Sequence, residues 1–192
     1  MVRSQEYGLN QPAPTWHVAQ WFNASNDVSL EKLRRRVIAL HTFQMLCPAC
    51  VAHGIPQAQR LQKTFAATDL AVVDLHTVFE HHDALRPHAL QAFPHEYRAN
   101  FPLGVDAHGS GQDIPLTMHA YRMHGTPTLI LIDRFDIVRY HVFGRPDDMS
   151  VGAQVAMLLS ERVATGTSKN SQDVKQETRR VAVMRDVPQS LD

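Results

Sequence analysis

Cysteine is almost absent from this 192-residue chain, and the two that occur stand three apart, as Cys47-Pro48-Ala49-Cys50. So few cysteines exclude a four-cysteine zinc site within the chain and a framework of several disulfides. Neither sign of charge dominates: nineteen Lys and Arg balance nineteen Asp and Glu. No net field therefore favours nucleic acid or an anionic membrane as partner. No apolar run approaches the roughly 20 residues needed to span a bilayer. The first thirty residues lack the apolar core of a signal peptide, being interrupted by Gln11-Pro12-Ala13-Pro14 and by Asn23 to Asp27. We therefore expect a soluble, cytoplasmic protein. In a reducing cytosol a disulfide is more often catalytic than structural. There is also no internal repeat, no phosphate loop, and no Ser-His-Asp arrangement with a recognisable elbow.

What remains is ordinary in bulk. Apolar residues make up 44% and charged residues 20%, as in soluble globular proteins, and the length suits about one domain with some extension. The compositional oddity is twelve histidines. Residues 1–15 are polar and proline-containing, and read as loosely held. Val18 to Phe22 reads as a short strand, and Asp27 or Ser29 as the cap of a helical turn through Arg34. Val37 to Phe43 and Leu70 to His76 are apolar runs of strand length. Between them a helix is predicted from Pro48 to about Phe65, kinked or broken by Pro56. A helix is predicted within 84–99, a strand over Phe101 to Val105, and a short helix over 115–123. Thr128 to Asp133 and Ile137 to Phe143 form a hairpin around Arg134-Phe135-Asp136. Asp147 or Asp148 caps a last helix to about Val163, with Val151, Val155, Leu158 and Leu159 on its apolar face. Beyond Thr165 the chain is polar and reads as a disordered tail, with Val181 to Met184 a candidate edge strand as the alternative. Strand and helix alternate, then a hairpin and a final helix follow. This order predicts an α/β sandwich on a mixed sheet.

The cysteine pair falls where a strand runs into a helix. Unpaired N–H groups and the helix dipole favour an anion there. Cys47, at the exposed end, is the candidate low-pKa nucleophile, and Cys50, a turn further in, the candidate resolving thiol.

Here the chain resembles the thioredoxin superfamily, specifically its TlpA-like and redoxin/peroxiredoxin thiol–disulfide oxidoreductases. Two motifs carry the likeness: Leu46-Cys47-Pro48-Ala49-Cys50 after a buried strand, and Gly125-Thr126-Pro127-Thr128-Leu129-Ile130-Leu131-Ile132-Asp133, similar to the family's cis-proline segment. It spans roughly residues 30–163. The resemblance implies a thioredoxin-like fold, a central mixed β-sheet with helices on both faces. It implies an N-terminal extension over 1–30, the domain over 31–163 and a polar tail over 164–192. It also implies a cis Pro127 facing the cysteines, with Thr126 offering backbone hydrogen bonds to an extended substrate. No bound cofactor is required; electrons come from a partner thiol system, and the substrates are protein or small-molecule disulfides.

The chain departs from the family in places. Leu46 stands where thioredoxins usually have Trp. His41 stands six residues before Cys47, where they often bury a carboxylate that accepts the second thiol's proton. A neutral imidazole can do the same, so His41 is a candidate proton-transfer residue; a hydrogen-bonded core histidine is the ordinary alternative. Gln44 stands where peroxiredoxins have the peroxide-binding Thr or Ser, which weighs against a thiol peroxidase with antioxidant activity.

The other candidates have ordinary readings. Leu75 to Asp83 is rich in histidine, with His76, His81 and His82 near Glu80 and Asp83, but the spacing fits no metal motif, so a polar loop is expected. A metal-binding module using Cys47, Cys50 and a histidine is the non-enzymatic alternative, and a scaffold with idle thiols a further one. Trp16 and Trp21 read as packing residues. Arg34-Arg35-Arg36, beside Glu31, reads as a solvated turn. The reading that best fits is a thiol–disulfide oxidoreductase, most simply a disulfide reductase.

Overall fold

Apolar side chains alternate across the central strands, and that alternation sets the layers. The computed structural model describes residues 8–24 and 28–161. Its strands are β1 (Val18–Phe22), β2 (Val37–Phe43), β3 (Leu70–His76), β4 (Leu103–Asp106), β5 (Thr128–Ile132) and β6 (Val138–Phe143). They form one mixed sheet in the order β1-β4-β3-β2-β5-β6. β2 runs parallel to β3 and antiparallel to β5. Every residue of β2, β3 and β5 is buried, as expected for strands covered on both faces.

One face carries Ile38, Leu40, Val73, Leu75, Ile130 and Ile132, packed with Met118 and Tyr121. The helix beneath it is α4 (Leu116–Ala120). Its first turn is held by Asp106, whose two carboxylate oxygens accept from the Thr117 and Met118 N–H groups at 3.0 and 3.1 Å. The opposite face carries Val37, Ala39, Val72, Leu129 and Leu131. It packs under α1 (Ile55–Thr64) and α5 (Asp148–Ser160), through Ala58, Leu61, Val151, Val155 and Leu158. Asp147 caps α5, accepting from the Ser150 N–H at 3.0 Å. Two four-residue helices, α2 (Pro87–Leu90) and α3 (Phe93–Glu96), lie between β3 and β4. Leu90 and Phe93 join a third cluster with Phe43, Cys50 and Ile55.

The strands fall within two residues of their expected bounds, but the helices differ. The single helix expected within 84–99 is the pair α2 and α3. Pro87 and Pro94 each stand in a first turn, where the missing N–H costs least, so each opens a new helix. The helix expected from Pro48 is neither broken nor stopped at Pro56. Residues 50–54 form a π-helical turn, in which the Ile55 N–H bonds the Cys50 carbonyl. This wide turn brings Pro56 into the first turn of α1, where a proline is tolerated. The turn expected through Arg34 is a 3-10 turn at Glu31–Leu33, whose Lys32 N–H donates to Ser29 Oγ at 3.3 Å.

The segment read as loosely held is pinned where it is described. Asn10 N–H donates to the Val138 carbonyl, Val138 N–H to Gln11, and Ala13 N–H to Asp136, at 2.7 to 2.9 Å. Trp16 packs in the core and donates to the Tyr121 hydroxyl at 3.1 Å, and Trp21 packs against the same cluster. Arg34 pairs with Asp136, and Arg36 donates to the Ala67 carbonyl. Asp27, Val163, the tail over 164–192 and the candidate strand Val181 to Met184 lie outside the described residues. Among the described residues no helix is long and apolar enough to cross a membrane.

Leu131 is wholly buried in the centre of β5, between the sheet and α5. Leu131→Ala is expected to lower stability by about 2–5 kcal/mol in urea unfolding, from lost transfer energy and the cavity left behind.

Candidate active site

β2 carries the site at its C-terminal end. The chain leaves the sheet at Phe43 and reaches Cys47, and Pro48 and Ala49 are already helical. Cys47 and Cys50 form a disulfide with Cα atoms 5.2 Å apart. Cys47 is partly exposed while Cys50 is fully buried. The Cys50 N–H donates to Cys47 Sγ at 3.2 Å, the local contact expected of a helix N-terminus. Leu46, where the family usually has Trp, is 59% exposed beside the pair.

The Thr126–Pro127 peptide bond is cis. It precedes β5, and β5 pairs with β2 from Ile38–Ile132 to Thr42–Thr128. This register brings the Thr126 carbonyl oxygen to 3.5 Å from Cys47 Sγ. The two motifs, 79 residues apart at these atoms, thus meet at one sulfur.

His41 lies behind the cysteines, 2% exposed. Its Cα partner across the parallel ladder is Asp74, also buried. His41 Nδ1 stands 3.3 Å from Asp74 Oδ1, near enough for an ion pair, without the alignment of a hydrogen bond. Gly54, in the π-helical turn that starts at Cys50, touches the other end of the ring. A Cβ there would run into His41 Nε2 and lie 3.2 Å from Pro127 Cβ. Gly54 has ordinary helical angles, so glycine is required for space and not for conformation. The ring therefore sits between a carboxylate on β3 and the turn that begins at Cys50.

His76 follows two residues along the same face of β3, wholly buried, with its ring 5.3 Å from that of Phe43. Six of the seven buried side-chain N and O atoms without a hydrogen-bond partner, among the described residues, belong to His41, Asp74 and His76. The seventh is Gln44 Oε1. Such atoms are costly in a fold, and their concentration in one patch singles it out as a candidate functional locus. Burial pushes the Asp74 carboxyl above its usual range, and His41 pulls it partly back. Burial pushes His76 down to about 4.

Neither Asp74 nor His76 was singled out in this role from the sequence. A signal was there: an acid and a histidine two apart on one face of an otherwise apolar strand. Of the remaining histidines, His82 and His108 meet edge to face, ring centroids 5.5 Å apart. His81 and His82 are exposed, and His108 Nε2 bonds the Val78 carbonyl at 2.8 Å. Among the described residues no three His, Cys, Asp or Glu side chains gather into a set that could hold a metal ion.

The depressed His76 has a measurable consequence. Between pH 6.5 and about 4 the unfolded chain takes up a proton at His76 that the folded chain refuses. The contribution is fully present above that window and lost as pH falls through it, by about 3 kcal/mol. Asp74 acts in the opposite sense, its contribution being lost as pH rises above the unfolded carboxylate range. Urea unfolding from pH 7 to 4 should show the acid-side loss in the native chain. His76→Leu should remove that part of the slope, and an unchanged slope would show that His76 titrates normally.

No family profile and no curated protein matches the chain. Solved structures do. A thioredoxin-like superfamily protein is 50% identical, with TM-score 0.77 over 79% of this chain and 97% of that one. A thiol–disulfide isomerase from Corynebacterium glutamicum is 44% identical, with TM-score 0.75 over 78% and 98%. A thioredoxin-like protein in its oxidised form, 21% identical with TM-score 0.66 over 79% and 97%, shares the fold. With the mixed sheet, the Cys-x-x-Cys at a helix start and the cis-proline facing it, these likenesses settle the family: the chain belongs to the thioredoxin-like superfamily, as a thiol–disulfide oxidoreductase.

Proposed function

We propose that the protein is a disulfide reductase that works through a mixed disulfide at Cys47. The carrying observation is the asymmetry of the pair: Cys47 is accessible beside the Thr126 carbonyl, and Cys50 is buried. In the reduced protein the Cys47 thiolate attacks one sulfur of a substrate disulfide. The substrate S–S bond breaks, a bond from Cys47 to that sulfur forms, and the other substrate sulfur leaves and takes a proton from water. Cys50 then gives up its proton and attacks Cys47 Sγ, releasing the second substrate thiolate. The two electrons gained by the substrate are those lost by the dithiol, and a partner thiol system restores them. Thr126 and Pro127 serve as the docking backbone for an extended substrate.

What surrounds Cys47 supports the reducing direction. A strong oxidant of this kind needs a stabilised thiolate. Here Sγ receives one backbone N–H, and an acceptor carbonyl faces it. The adjoining cavity wall contributes Glu80 and no Lys or Arg. Pro48 and Ala49 add no charge. The reduced form gains little, so the pair should hold a low potential. Equilibration in glutathione or dithiothreitol buffers with thiol trapping is expected to give a value below about −260 mV. A value well above the glutathione poise would make the protein an oxidant or isomerase instead. Cys50→Ser should accumulate the mixed disulfide on Cys47, visible by mass, while Cys47→Ser should not react.

His41, backed by Asp74, is proposed to take the Cys50 proton. Its Nε2 stands against the turn that begins at that cysteine, and a buried thiol has no water to serve as base. His41→Gln is expected to slow the resolving step about 10²-fold and to change its pH–rate profile. The same profile in both proteins would rule out this role.

A further inference from the structure

A cavity of about 310 Å³ opens beside Cys47. Cys47 and Thr126 form one wall, and the segment from Phe79 to Leu85, which crosses above the sheet after β3, forms the other. Leu85 anchors this second wall at 2% exposure, and its N–H bonds back to the His81 carbonyl at 3.2 Å. The lining includes Leu46, Pro48, Phe79 and Leu85, so its body is apolar. Its volume is at the small end for ligand pockets, suited to a side chain and not to a large cofactor.

The polar atoms here are mostly acceptors. Gln44 is 1% exposed; its Nε2 donates to Glu80 Oε1 at 3.3 Å, and its Oε1 has no partner. A buried amide oxygen left in this way calls for a donor. The Thr126 carbonyl is a second acceptor, and the Glu80 carboxylate a third. Among the described residues Glu80 forms no ion pair, whereas the nearby Asp83 is neutralised by Arg86. His81 is the one lining side chain that could carry positive charge. Arg60 and Arg145 line a different, smaller cavity, with His41 and His53.

We propose that this cavity is a subsite for the residue flanking the attacked cysteine, and that it selects a lysine- or arginine-type side chain. The aliphatic stem would lie along Leu46, Phe79 and Leu85, and the cationic head would meet the Glu80 carboxylate, which the buried Gln44 amide holds at 3.3 Å. The substrate class is then a polypeptide disulfide in a basic sequence context. This inference rests on the reading of Cys47 as the nucleophile.

The test uses the full, reduced protein and three acetylated, amidated peptides, Gly-X-Cys-X-Gly, each as its symmetric disulfide, with X as Lys, Leu or Glu. Flanking the cysteine on both sides makes the result independent of docking direction. Second-order rate constants for peptide reduction are each divided by that for dithiothreitol, which removes intrinsic differences in disulfide reactivity. The Lys peptide is expected to exceed the Glu peptide about fivefold, with Leu between them. The Lys-to-Glu ratio should fall to about one in Glu80→Gln. Gln44→Leu should lower the Lys rate without raising the Glu rate. Equal normalised rates, a preference for Glu, or a Lys preference that survives Glu80→Gln would overturn the subsite. Hydroxyethyl disulfide, small and neutral, reports on the redox centre alone. If it is not reduced either, the reductase reading fails; if it is reduced while the peptides are not discriminated, only the subsite fails.

Discussion

The position of β2 between β3 and β5 is the constraint on which the site depends. β3 runs parallel to it and β5 antiparallel, and the two ladders fix different halves of the chemistry. The antiparallel ladder ends at Thr42–Thr128, so the chain just before β5 must pass the chain just after β2. That is why the Thr126 carbonyl meets Cys47 Sγ. The parallel ladder sets His41 beside Asp74. A slip of one residue in either ladder would turn the slipped strand's side chains to the opposite face and dissolve the meeting that ladder sets. The buried apolar residues of β2, β3 and β5 prevent such a slip, because it would carry the residues of one core cluster into the other layer.

That same burial explains the cost accepted behind the cysteines. A fold seeking stability alone would place apolar side chains at 41, 74 and 76, as it does with Val37, Ala39 and Val72. It instead holds six polar atoms without hydrogen-bond partners in one patch. The patch is divided between an imidazole on β2 and a carboxylate on β3. Burial favours the neutral carboxyl, and the neighbouring imidazole offsets part of that push. Gly54 is the accommodation this division requires, since a larger residue in that turn would displace the ring.

Much of this was legible in the sequence, for identifiable reasons. Val37–Phe43, Leu70–His76 and the β5–β6 hairpin could be read because fully buried strands leave continuous apolar runs. Cys47 with Cys50, and Thr126 with Pro127, could be read because local motifs carry them. The helices around 48–64 and 84–99 were misread because proline has two meanings in a helix. Its effect depends on whether a new first turn opens at it, which is decided by packing and not by the local sequence. A π-helical turn has no composition of its own, so the route past Pro56 was hidden. Asp74 was hidden for another reason. A pair formed across two strands 33 residues apart has no signature until the register is known, and a single acid in an apolar run looks like noise.

The residues between the two motifs therefore do more than close the fold. Their first part, π-turn and α1, buries Cys50 against Phe43 and Ile55. The middle part, β3, brings the partner for His41. The stretch after β3 builds the far wall of the cavity by Cys47. Cys47 stays partly open, between the Thr126 carbonyl and the Cys50 N–H; Cys50 is closed into the core cluster with Phe43 and Ile55. Two chemically identical thiols three residues apart are thus made unlike by the layers of the sandwich. That difference in exposure, more than the Cys-x-x-Cys itself, is what supports the proposed division into an attacking and a resolving sulfur.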